Sequence, residues 1–249
     1  MARPTIFGAQ RYADDRGEAD PHLRATLDAY ARDRAPQRQV LAALGPARLL
    51  VPVLAVSDED SQDQPATTDK RGDAADATET ADATHQSSVS VPLVVGEDGR
   101  RGMLAFTSID TMRQWRPGAR PVPVSAGEAC QAARGERADA LVLDMAGPVP
   151  YAVEGYFLDV LAEQGTVPAA KEDTRVLAAI YRVTHTEFGI GRVRILDSER
   201  ADIGVRLELD HRDDESMRRV ANRLAEELKP MLPGGVELSA VVRANRDGD

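Results

Sequence analysis

Four histidines, one cysteine and the hydroxyls and arginines near the lone Trp115 are where the spacing of this chain could do chemistry. Their spacing excludes most of the familiar chemistries. His22, His85, His185 and His211 are scattered, and no two stand at metal-ligand spacing. His185-Thr186-Glu187 has the H-x-E form of a zinc deaminase, but the P-C-x-x-C partner that would complete the metal site is absent. Cys130 falls on the apolar face of a short predicted helix. No neighbouring cation would favour its thiolate, so it reads as a buried structural thiol. The chain has no G-x-S-x-G elbow and no phosphate-binding P-loop, and Gly189-Ile190-Gly191 reads as a turn. The expectation is therefore no catalytic residue, no metal ligand and no cofactor-binding residue.

One cluster keeps two readings open. Trp115 sits on the apolar face of a short helix, the position of a core anchor whose indole N–H needs one partner. In the other reading Thr107, Ser108, Trp115, Arg116 and Arg120 rim a groove that accepts an anionic or peptide group. Aromatic and Arg residues are favoured as interface anchors, which supports that alternative. The nearby turn Gly96-Glu97-Asp98-Gly99 is most simply a hairpin with glycines in left-handed conformations, and Arg100 and Arg101 are its solvated tip.

The elements that must position this cluster are compressed into residues 91–124. Two apolar runs flank the turn. Then come Phe106-Thr107-Ser108, a helix closed by Trp115 and Pro117-Gly118, and the proline-spaced strand Arg120-Pro121-Val122-Pro123-Val124. Thr107 and Asp110 have capping-box spacing, as do Ser125 and Glu128 at the head of the next helix. This succession of hydrophobic strand, Gly turn, "FTS", Trp and "RPVPV" resembles the core signature of the SseB-like N-terminal domain family, over roughly residues 36–150. The resemblance implies a fold and a family, and it implies no reaction.

Around that signature the chain reads as α+β: a mixed β-sheet with packed helices, followed by a smaller α-β-β-α-β unit. Residues 1–20 are polar and read as a poorly ordered end. Asp20 and Pro21 open a helix carrying Leu23, Leu27 and Tyr30, and a second helix spans residues 37–44. Residues 49–56 are apolar on both faces and read as a buried strand, in which Pro52 demands an irregular place in the ladder. Residues 138–145 predict a further buried strand, and 154–164 a helix. Beyond Gly165 the pattern predicts a helix through Val176 to Val183, strands at 192–196 and 203–209, an amphipathic helix from Met217 to Met231, and a last strand at 236–242. The expected division is an N-terminal extension with one helix over 1–35, an SseB N-terminal-like domain over 36–165, and a small α/β domain over 166–249.

Between Ser57 and Ser88 there is no Val, Ile, Leu, Met or aromatic residue, and nine acids face only Lys70 and Arg71. The segment carries −7 of the net charge of −10 and reads as a disordered acidic insertion between two strands of one domain. The acidic balance argues against nucleic acid and anionic membrane as partners. A single cysteine, no apolar leader and no membrane-length apolar run point to a cytoplasmic protein. The scarcity of Lys beside Arg reads as the codon preference of a GC-rich genome in preference to a functional role of the arginines. The expected function is a non-catalytic binding or regulatory module with a protein partner. The competing readings are an enzyme on a small metabolite, with a site assembled only by the fold, and a stabilising subunit of a larger assembly.

Overall fold

The computed structural model describes residues 11–12, 14–56 and 88–243. The acidic segment 57–87 lies outside the described residues.

Two helices lead the chain, α1 (Pro21–Tyr30) and α2 (Gln37–Leu44). The Asp20 carboxylate accepts the Leu23 amide at 2.8 Å and Pro21 occupies the first turn, as the sequence predicts. Strand β1 (Arg48–Val56) follows and pairs antiparallel with β2 (Ser88–Ser90), so the acidic segment joins two adjacent strands. β3 (Leu93–Val95) and β4 (Arg101–Ala105) form the predicted hairpin, closed by the Gly96 amide on the Arg100 carbonyl and by Gly99 at φ 78°. Arg100 is not free at the tip: it pairs with Glu154.

Helix α3 (Ile109–Trp115) begins one residue later than the Thr107 cap predicts. Ser108 is the cap, in a capping box with Thr111, because the Thr107 amide and hydroxyl both donate to Asp144 instead. β5 (Arg120–Ser125) then pairs antiparallel with β1, and α4 (Ala126–Gly135) opens on the predicted Ser125–Glu128 box. β6 (Ala140–Leu143) runs parallel to β4. β7 (Tyr151–Glu154), which the sequence reading missed, turns directly into α5 (Gly155–Gln164) through Gly155 at φ 53°.

Seven strands thus make two sheets, ordered β2-β1-β5 and β3-β4-β6-β7. They meet where Leu50 and Phe106 exchange amide–carbonyl bonds of 2.8 Å. That bridge also accounts for Pro52. Leu50 turns its polar groups away from β5, so Pro52, two residues on, does the same. Its missing N–H falls between the Phe106 bridge and β2, whose pairing begins at Leu54. By the same alternation Pro121 and Pro123 face the outer edge of β5 and cost no ladder bond. Leu23, Leu27, Val40, Leu41, Leu44, Leu141, Leu143 and Leu161 are buried in one core between helices and sheets. Each such Leu stabilises the fold by about 2 kcal/mol through burial. A smaller cluster of Leu50, Leu104, Phe106, Met112 and Ala119 packs around α3.

The last five elements are α6 (Thr174–His185), β8 (Ile190–Leu196), β9 (Ile203–Leu209), α7 (Asp214–Leu228) and β10 (Val236–Val242). They form a separate three-stranded sheet, β10-β9-β8, with β9 and β10 parallel. Its core draws on residues from Ala170 to Leu238. Buried Arg38 of α2 reaches across to it. The guanidinium donates to the carbonyls of Met231 at 2.6 Å and Pro168 at 2.7 Å and lies 3.5 Å from Asp173. Asp173 caps α6 and accepts the Tyr156 hydroxyl at 2.6 Å.

Candidate functional site

The carboxyl ends of the parallel strands β4 and β6 open into a cleft of about 540 Å³. In open sheets of parallel strands this is the end where ligands enter. Thr107 and Ser108 leave β4 there, and Asp144 leaves β6. All three are buried. The Asp144 amide continues the parallel ladder by bonding to the Ala105 carbonyl at 3.0 Å. Asp144 itself takes φ 48°, a left-handed conformation that Asp tolerates better than most side chains.

That turn aims the Asp144 carboxylate back at the β4–α3 junction. One oxygen accepts the Thr107 amide at 2.9 Å and the Thr111 hydroxyl at 2.6 Å, and the other accepts the Thr107 hydroxyl at 2.6 Å. Three charge-assisted bonds to one buried carboxylate are enough to fix the whole floor. Sequence reasoning missed Asp144. Its only trace is an acid at the end of the apolar run Ala140-Leu141-Val142-Leu143, just before the Gly147-Pro148 turn.

The wall of the cleft comes from the N-terminal segment. Arg48, the first residue of β1, forks onto Asp15 through Nε at 2.7 Å and Nη2 at 2.9 Å. It also donates to the Thr107 carbonyl at 3.0 Å and to the Glu18 carbonyl. Gly17 accepts the Ile109 amide at 2.7 Å, and at φ 78° a Cβ there would stand 2.9 Å from the Ile109 Cβ. Residues 14–20 are therefore anchored. For these residues the polar composition that suggests a poorly ordered end misleads, because the ordering comes from the largely buried guanidinium of Arg48 elsewhere in the chain; residues 1–10 and 13 lie outside the described residues.

Above the floor the rim is acidic. Among the described residues the cleft's lining carries Glu18, Asp28 and Asp110 and one cation, Arg24, together with Thr111 and Gln114. Of the groove residues expected from sequence, the structure brings Thr107 and Ser108 to this cleft. Trp115 stands on the far side of α3, where its ring packs against Phe106 at 5.5 Å between centroids. Arg116 and Arg120 are exposed beyond it and do not line the cleft.

The other reactive residues are occupied elsewhere. Cys130 is fully buried, and burial pushes its thiol up to about 12. His185 stacks on Tyr181, and Glu187 is held by Arg223 at 3.1 Å. Among the described residues no group of three or more His, Cys, Asp and Glu is placed to hold a metal ion. No helix of the described residues is long and apolar enough to cross a membrane.

Comparison with known proteins agrees with the signature around Phe106-Thr107-Ser108. No curated protein and no solved structure resembles the chain closely enough to count as a match. The sequence profile of the SseB protein N-terminal domain matches residues 23–159, from the first turn of α1 into α5, and so takes in the floor of the cleft and the α1 side of its rim. That span is more than half of the chain, and the chain belongs to the SseB family.

Proposed function

We propose that this protein is a non-catalytic cytoplasmic binding module, and that the cleft at the ends of β4 and β6 receives a basic segment of a partner protein. The observation that carries this reading is how the cleft's polar groups are used. The hydroxyls of Thr107 and Thr111 are committed to Asp144, which also accepts the Thr107 amide, and Ser108 to capping α3, so these groups hold the shape of the floor. What faces outward is negative charge: Glu18, Asp28 and Asp110 against Arg24. A guanidinium or ammonium group entering from solvent meets this rim first. One cysteine in 249 residues fits a reducing compartment.

The test is fluorescence anisotropy with a labelled Gly-Arg-Gly-Arg-Gly peptide, its Glu-containing counterpart, and the double variant Asp28→Asn/Asp110→Asn. Both substituted side chains are on the rim, so the fold is retained. The basic peptide should bind and the acidic one should not. Losing two rim charges should weaken binding about tenfold, or about 1.4 kcal/mol. Equal binding by wild type and double variant would refute the assignment, since acids other than those of the rim would then account for the attraction.

A further inference from the structure

We propose that the outer edge of β10 is a self-association surface, on which a second copy of this chain adds its own β10 antiparallel to extend the C-terminal sheet across a two-fold axis. The argument begins with how the other sheet edges are treated. Among the described strands, β2 and β3 have three residues each and β7 has four. β5 carries Pro121 and Pro123 toward its outer edge, and β8 carries Arg192 and Arg194 beside a register shift. These are the devices by which sheets avoid pairing with other chains. β10 is neither short nor broken by proline or a register shift. Its seven residues, Val236-Glu237-Leu238-Ser239-Ala240-Val241-Val242, include one charge and no proline, and Val241 and Val242 are 45% and 51% exposed.

Beside this edge lies an apolar groove of about 340 Å³ between α7 and β10, lined by Leu224, Leu228, Leu232, Val236 and Leu238. Groove and strand complement each other end to end. Val236, Leu238, Ala240 and Val242 share the helix-covered face. Val236 and Leu238 pack on the core, whereas Ala240 and Val242 are exposed. An antiparallel pair centred on Ser239 sets Val242 of one copy opposite Val236 of the other, and Ala240 opposite Leu238. Each uncovered end thereby lies against its partner's groove, which is the self-complementarity a two-fold interface requires.

The backbone agrees. The Arg243 amide bonds the Leu209 carbonyl of β9, so odd-numbered amides face β9 and those of Leu238, Ala240 and Val242 face the open edge. The match of exposed apolar ends to apolar groove selects a copy of this chain as the occupant, because the same strand supplies both halves in the antiparallel register. On the outward face Glu237 accepts the Ser198 hydroxyl at 2.7 Å and Arg243 lies 3.7 Å from Asp210, so these exposed charges are held within the chain. Charge bears only on the alignment: antiparallel pairing puts each Glu237 diagonal to the partner's Arg243, whereas parallel pairing would set like charges side by side.

The experiment is light scattering coupled to size exclusion on the full chain, with two variants. Ala240→Pro removes an edge-facing amide that β9 does not use, and Val242→Lys puts a charge on an exposed side chain. Wild type should run at twice the 26.9 kDa chain mass, with a monomer fraction that grows on dilution. Both variants should run at the chain mass with their thermal transition retained. A wild type that stays at the chain mass at every concentration would overturn the proposal, as would a folded Val242→Lys that keeps the doubled mass. Should Ala240→Pro lose its thermal transition, Val242→Lys decides the question alone.

Discussion

At the scale of single residues, this molecule rests on a few largely buried polar groups whose partners are far away in the chain. Asp144 organises the cleft, Arg48 holds its wall and Arg38 ties two cores together, over sequence separations of up to 193 residues. None of the three is visible in the sequence. A lone Asp or Arg has no periodicity, and its role is set by what the fold brings to it. Cys130 is the opposite case: its place among the alanines of a short amphipathic helix predicts burial, and it is buried. Its titration gives a stability prediction. The folded thiol is raised from the ordinary 9.0 to about 12, so above pH 9 the unfolded chain loses a proton that the folded chain retains. Stability should be intact below that point and fall with rising alkalinity by about 1.4 kcal/mol per pH unit from this group. Buried Tyr151 and half-buried Tyr156 are raised for the same reason and add to the fall at higher pH. Denaturant unfolding of wild type and Cys130→Ala at pH 8 and above should show a shallower alkaline slope in the variant. Equal slopes would mean the thiol is not protected.

At the scale of elements, the sequence predicts the structure well wherever periodicity or cap chemistry is strong. α1, α4 and α7, the glycine-bounded hairpin, and strands β9 and β10 all stand where pattern places them. It predicts the structure less well where a tertiary bond outcompetes a local one. The cap of α3 shifts from Thr107 to Ser108 because a buried carboxylate takes the Thr107 hydroxyl. β7 escaped notice because four residues are too few for alternation to show. α3 also carries the question of Trp115. Its ring packs with Phe106, Met112 and Ala119, and its side chain is half-buried. Trp115→Ala should cost about 3 kcal/mol, the low end for an aromatic lost from a core. Exposed Arg116→Ala and Arg120→Ala should each cost less than about 0.5 kcal/mol. Thermal unfolding of the three variants reads this order directly. A Trp115→Ala that melts with the wild type would return Trp115 to the surface as a recognition residue.

At the scale of the whole molecule, two features set its behaviour: a charge confined to one segment, and two cores held in contact by Arg38. Pairing of Val56 with Ser88 places the ends of segment 57–87 on adjacent strands, so a short Gly/Ser bridge can close them. Replacing 57–87 with such a bridge should leave the melting temperature within a few degrees and move the net charge from −10 to −3. A cooperative loss of the fold would show that the segment contributes to the core after all. The same deletion clears the ground for the central claim, since it removes the most acid-rich stretch of the sequence. The decisive measurement is amide chemical-shift mapping on that shortened chain, titrated with N-acetyl-arginine amide. The cleft reading predicts shifts that saturate and cluster on Ser108, Asp110, Thr111 and Gln114, and that vanish in Asp28→Asn/Asp110→Asn. Shifts spread over the surface, or centred on the C-terminal sheet, would contradict it.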